Sequence, residues 1–361
     1  MKKIIDYIKD KIYYILGFTV LVIVILIIIN ACSNRSGSYE DIENDMVEAA
    51  KEYYSNRKNR LPKEDDSSIE ISTGTLIDAE LLEEIVDPNN KNQTCSGHVE
   101  VTKVGDDYSY TPFLTCKGNY EPEYLTDIIK NVKTDEYGNG IYEIGEELVY
   151  RGEDVNNYVQ FNNQLWRIVK MDAEGDFKLV LAQRTDESYA WDDAYNSERD
   201  SNVGITTDYL HTNIRKVLND YYEENFTTDS KAKIVSKNLC VGKYAQTDEF
   251  SVDKECSTVK ENEKIGLLTA SDYKNASLDE NCTKLDSNEC SNYNYLADSS
   301  SINTWILNSS STDTFRVYYI SETIRRSNAS STKRINPVIF ISSKAIVSEG
   351  KGTLDKPYII K

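Results

Sequence analysis

Ile15-Leu-Gly-Phe-Thr-Val-Leu-Val-Ile-Val-Ile-Leu-Ile-Ile-Ile29 divides the 361-residue chain into a short charged head and a polar, acidic remainder. No charged side chain occurs between Lys11 and Arg35, a gap long enough for the roughly 20 helical residues that a hydrocarbon core requires. Thirteen of the fifteen residues quoted are Leu, Ile, Val or Phe, each favouring insertion by roughly 0.3–0.6 kcal/mol at the bilayer centre. The expectation is a single membrane-spanning signal-anchor over 15–32, preceded by a cytoplasmic head over 1–14. Lys2, Lys3, Lys9 and Lys11 all lie before the run, and lysine bias keeps that end in the cytoplasm. Everything after about Asn34 is then extracellular.

Two processing motifs overlap the run. Ile29-Asn-Ala-Cys32 resembles a lipoprotein signal that would lipidate Cys32, although Asn30 fits it poorly and the apolar stretch exceeds the usual 7–15 residues. Gly17-Phe-Thr19 resembles a prepilin cleavage site, but the glutamate expected at the fifth mature position is Val22.

The cysteines fit export. Apart from Cys32 there are six: Cys95, Cys116, Cys240, Cys256, Cys282 and Cys290. Six cysteines allow fifteen connectivities, and hairpin geometry selects one pair. Gly105-Asp106 between Val104 and Asp107 suits a type II′ turn. Counting outward from it sets Val101 opposite Tyr110 and Cys95 opposite Cys116, a crosslink worth roughly 3 kcal/mol in the chain-entropy account. Cys240 with Cys256 and Cys282 with Cys290 are the economical remaining pairs, on proximity alone. A zinc site is the rival reading of these cysteines, and the sequence holds no CxxC pair to support it.

The formal charge of −19 falls on the exported part, since the head carries more lysine than aspartate. Such a surface is repelled by phosphate backbones, which argues against nucleic acid as a partner. Twenty-six tyrosines against eight phenylalanines suit half-exposed strand faces with wet hydroxyls.

Beyond the anchor, Ser38-Tyr-Glu-Asp41 forms a capping box, and Met46, Ala49, Ala50, Tyr53 and Tyr54 recur at helical spacing. Ile69 and Ile71 alternate as in a short strand, and Thr75 to Val86 reads as a second helix. The pattern amounts to a first unit over 39–120: helix, strand, helix, crosslinked hairpin. Residues 121–139 read as a connector between Glu121-Pro122 and Tyr137-Gly-Asn-Gly140. From 140 the pattern becomes one of short strands, with one helical face formed by Tyr209, Ile214, Val217, Leu218, Tyr221 and Tyr222 and Thr212 as its cap. Trp166 and Trp305 sit among aliphatics and read as core anchors.

Gln164-Leu-Trp-Arg-Ile-Val169, Trp191-Asp-Asp-Ala-Tyr-Asn196, Ile214-Arg-Lys-Val-Leu-Asn219, Ile265-Gly-Leu-Leu-Thr-Ala-Ser-Asp-Tyr273 and Asn336-Pro-Val-Ile-Phe-Ile341 occur in order. With the terminal Gly350-Lys-Gly-Thr-Leu-Asp-Lys-Pro-Tyr-Ile359 they resemble a domain of anchored surface proteins from Gram-positive gut bacteria. That domain is similar to C-type-lectin-like and sulfatase-modifying-factor folds, and residues 46–116 resemble a pilin-like, membrane-proximal unit. The resemblance implies an α+β protein: transmembrane helix, small pilin-like unit, then a loop-rich mixed domain over 140–361.

Chemistry is sparse. His98 and His211 are the only histidines, and no G-x-S-x-G, H-E-x-x-H, Walker or Rossmann pattern occurs. No catalytic residue and no cofactor is assigned. Asp192, Asp193, Asn196 and Asp200, with Asn202, form one oxygen-rich cluster that could hold Ca²⁺. Turn and cap roles for these residues are the preferred alternative. Arg325 and Arg326 read as a solvated basic loop. The expectation is a non-enzymatic surface protein, bound to the membrane by its N-terminal helix and to a glycan, envelope or host-surface ligand by its outer domain. A pilin-like subunit and a divergent sulfatase-modifying enzyme, the latter needing a free thiol pair at the end of a groove, are the alternatives.

Overall fold

The computed structural model describes residues 37–193, 208–299 and 301–361. The run 15–29, Cys32, Asn196, Asp200 and Asn202 lie outside the described residues, and among those described no helix is long and apolar enough to cross a membrane. The protein is mixed α+β, rich in strands and poor in helix. It divides into two compact units: residues 37–59, 70–99 and 112–121, and residues 60–69, 100–111 and 122–361.

Helix α1 (Tyr39–Ser55) starts where the sequence says it should, with Ser38 and Asp41 exchanging both capping-box hydrogen bonds. It buries Met46, Ala49, Ala50 and Tyr54. Strand β1 (Ser68–Ser72) is followed by α2 (Thr73–Asp78), then β2 (Ser96–Val104) and β3 (Asp107–Thr115), in the order β1-β2-β3. The hairpin turns at Gly105, whose φ is +57°, and Cys95 and Cys116 at its open end are disulfide-bonded.

The expected second helix over 75–86 is corrected to six residues. It ends in a Schellman arrangement, with Leu81 N donating to Leu76 O and Glu80 N to Ile77 O. This holds the exposed Glu80 at φ +58°, a left-handed conformation that costs a side-chain-bearing residue about 1 kcal/mol. Glu80→Gly is therefore expected to stabilise the first unit by about 0.5–1 kcal/mol. A denaturation midpoint that stays level or falls would contradict that.

The second unit starts earlier than 140. The segment read as a connector holds β4 (Glu123–Tyr124) and α3 (Leu125–Lys130), whose Leu125 and Ile129 are buried. Besides three two-residue strands (Tyr189–Ala190, Lys243–Tyr244 and Thr332–Lys333), its further strands include β5 (Gly140–Ile144), β6 (Glu147–Arg151), β7 (Tyr158–Phe161), β8 (Gln164–Met171), β9 (Phe177–Leu181), β10 (Lys237–Cys240), β11 (Val259–Glu263) and β12 (Ile265–Gly266). After them come β13 (Thr304–Ser310), β14 (Arg316–Ile320), β15 (Ile324–Asn328), β16 (Val338–Ile341), β17 (Ile346–Glu349) and β18 (Tyr358–Ile360). The main sheet runs β12-β16-β9-β8-β7-β18-β17-β4, antiparallel except where β18 lies parallel to β7. The helices of this unit include α4 (Asn213–Asn225), capped by Thr212, the single turn α5 (Val252–Glu255), and α6 (Ala270–Ala276).

Trp166, Trp191 and Trp305 are all buried, the last two packed edge to face with centroids 6.0 Å apart. Tyrosine departs from expectation. Tyr150, Tyr209, Tyr244, Tyr273, Tyr295 and Tyr318 are fully buried, so here tyrosine builds the core as well as half-wet faces. Tyr318 donates to Tyr244 O and Tyr244 to Ser251 O, so these two hydroxyls are satisfied by backbone carbonyls. Arg325 and Arg326 lie in β15, not in a loop, and Arg326 is paired with Asp313 at 2.5 Å.

Candidate functional site

A β-bulge sets up the chemistry of the second unit. Strands β8 and β9 pair Trp166 with Leu181 and Ile168 with Leu179, then slip by one residue, so that Lys170 faces Lys178. The slip coincides with a change of neighbour: β7 covers β8 over residues 164–167, and β6 takes over at Lys170 and Met171. Two ammonium groups directly opposite each other destabilise a sheet unless each meets a counterion. Glu147 at the start of β6 takes Lys170 at 2.6 Å, and Asp272 on α6 takes Lys178 at 2.5 Å.

The Lys178–Asp272 pair is almost dry, with side chains 5% and 4% exposed. Asp272 also closes a capping box with Thr269, accepting from the Thr269 amide at 2.8 Å. Burial alone would raise its pKa, but the charges of Lys178 and Lys170 prevail and hold it below the usual carboxylate range. Glu255 stands beside this pair. Its carboxylate accepts from Ser271 N at 2.9 Å and faces the Tyr244 hydroxyl at 3.5 Å. Burial, and after it the negative charge of Asp272, push the Glu255 pKa up.

These groups open onto a cavity of about 680 Å³, floored by β8 and β9 and walled by β10, α5 and α6. At its far side Lys237 is gripped by Asp172 and Asp176, each at 2.8 Å, and by Glu174 at 3.2 Å. Those acids lie in the β8–β9 turn, where Asp172 also accepts from the amides of Glu174 and Asp176. Burial lowers the Lys237 pKa, yet the hydrogen bonds and charges of Asp172 and Asp176 raise it further than burial lowers it.

The disulfide Cys240–Cys256 lines the cavity and ties β10 to the end of α5, which fixes Glu255 next to it. Gly242 completes the clamp. Its amide donates to Glu255 O at 2.7 Å, and a Cβ there would lie 2.0 Å from Lys254 O, an approach open only to glycine.

The sequence-derived candidates are dispersed relative to this cleft. Cys282 and Cys290 are bonded to each other elsewhere in the second unit. Among the described residues, the six cysteines form three disulfides, and the cleft carries one of these in place of a free thiol pair. Asp192 is buried, with its amide on Ala329 O, while Asp193 is exposed. His98 stacks on Phe113 at 4.8 Å, and His211 lies in the short helix preceding α4. Asp87 falls close to Cys95 and Cys116. However, both sulfurs are spent in the disulfide, and Asp87 is occupied by Tyr39, Asn89 and Asn119, so the trio is a poor metal site.

Sequence reading does not identify the cleft. Lys170 and Lys178 are legible only as polar members of alternating strands, and nothing local announces the bulge. One signal is present: Thr269-Ala-Ser-Asp272 is a capping box whose acid is followed by Tyr273 and Ala276, which places that acid toward the interior. No family model matches the chain, and no curated protein and no solved structure matches it.

Proposed function

We propose that this chain is a membrane-anchored, extracytoplasmic binding protein whose second unit, a C-type-lectin-like α+β domain, holds a small polar ligand in the cleft between β8–β9 and α5–α6. The observation that carries the reading is the cleft: a concave site with a few convergent charged groups fixed on strands and capped turns, which is how ligand sites are built. Its lysines are each tied to a carboxylate, an arrangement that favours recognition over nucleophilic chemistry, since a catalytic lysine must be able to shed its proton. Three disulfides are compatible with an extracellular location. The uncharged run ahead of the first unit supplies an anchor, with its lysines on the cytoplasmic side.

Two measurements test this. Protease added to intact cells should remove the acidic part of the chain and spare a fragment carrying the N-terminal run. Full-length protein in detergent should bind members of an envelope and glycan fragment panel, with binding lost when Leu239 in the cleft wall is replaced by Trp. Protection of the whole chain would overturn the topology, and binding indifferent to Leu239→Trp would overturn the site.

A further inference from the structure

We infer that the cleft takes a ligand bearing a primary amine, whose ammonium group sits against Glu255 and Asp272. This rests on the cleft being the binding site and adds the charge and class of its occupant.

Five carboxylates and three ammonium groups line the cavity. Lys170, Lys178 and Lys237 each meet a carboxylate at 2.5–2.8 Å, so among the described lining residues every cation is already paired. Glu255 is left over. It is buried, makes no ion pair among the described residues, and lies within the field of Asp272. Burying a carboxylate without a cation is costly, and the hydrogen bonds it accepts from Ser271 N at the start of α6 and from the Tyr244 hydroxyl satisfy its oxygens without bringing a positive charge. The disulfide and the Gly242 approach hold the α5 backbone beside the cavity.

The counter-charge that would hold Glu255 ionised is compact and singly positive. A divalent cation is disfavoured because the Lys178 ammonium already sits 2.5 Å from Asp272 and would repel it. Ca²⁺ would also need six to eight oxygen ligands. A primary amine needs only two or three acceptors, and Ser236 and Asn275 on the cavity wall can meet the uncharged part of the molecule.

Binding is then linked to protons. Asp272, Lys178, Lys170 and the Tyr244 hydroxyl are the groups that act on Glu255. In the free protein burial and Asp272 favour its protonated form. An arriving ammonium favours the ionised form, so a proton leaves and affinity rises with pH through the Glu255 titration.

Calorimetry on the full-length protein with glucosamine, N-acetylglucosamine and glucuronate compares amine, neutral amide and anion on one ring, and ethanolamine supplies an amine without a ring. Glucosamine or ethanolamine is expected to bind about tenfold or more tighter than the neutral and anionic probes, about 1.4 kcal/mol in each case. Affinity should rise from pH 5 to pH 7 with proton release to the buffer, and Glu255→Gln should flatten that dependence. Equal or tighter binding of N-acetylglucosamine or glucuronate, blocked by Leu239→Trp, overturns the amine and leaves the cleft. Binding of none of the four overturns both.

Discussion

Replacing Lys178 with methionine is expected to destabilise the second unit by about 3–5 kcal/mol, the loss typical when one partner of a buried pair is removed and a dry charge is left behind. Asp272 would keep its hydrogen bond from the Thr269 amide. Lys170 is already held by Glu147 and lies on the neighbouring strand. The pH dependence separates this from a packing defect. Asp272 is depressed in the folded protein, so its contribution is present above the ordinary aspartate pKa and lost as pH falls through the lower folded-state value. The gap between wild type and variant should therefore close in acid. Glu255 has the opposite sign. Its pKa is raised, so its contribution is complete below the ordinary glutamate value and disappears as pH rises through the folded-state value. Glu255→Gln is accordingly expected to leave stability unchanged near pH 4 and improve it near pH 7. Urea denaturation of the three proteins at both pH values checks this, and a Lys178→Met loss under 1 kcal/mol would mean that the pair is a bystander.

Removing the Cys95–Cys116 crosslink is the second large effect. The bond spans a sequence separation of 21, for which chain entropy gives about 3 kcal/mol. The first unit has little with which to absorb that loss. Its core is a short roster led by Met46, Ala50, Leu76, Val99 and Leu114, and small cores commonly supply only a few kcal/mol of net stability. The Cys95→Ala/Cys116→Ala variant should therefore unfold its first unit many degrees below wild type while the second unit melts where it did. Two transitions by calorimetry would show it. Coincident melting of wild type and variant would place the stability of that unit elsewhere.

Where local chemistry decides the outcome, the sequence is readable. Ser38 and Asp41 begin α1, Thr212 begins α4, and Gly105 centres a hairpin that brings two cysteines together. Residues 121–139 resemble a connector because Pro122 and Gly138 mask Leu125, Ile128, Ile129 and Val132, which recur at helical spacing and pack into the second unit. Tyrosine composition suggests partly wet side chains, yet the large core of that unit encloses Tyr150 and Tyr295. The cleft is hidden for a different reason. Which residue of β8 faces Lys178 depends on a one-residue slip, and register is a property of paired strands that neither carries alone. The acids that neutralise the two lysines lie 23 and 94 positions away, brought in by topology.

Strand β18, residues 358–360, is inserted between β7 and β17 rather than added at a rim. Until residue 360 has been made and delivered, β7 and β17 each present an unsatisfied ladder to whatever is nearby. The second unit is thus committed to fold after synthesis of that segment, not progressively during it. A partly emerged chain has an open seam at its centre, a state vulnerable to strand exchange with another copy.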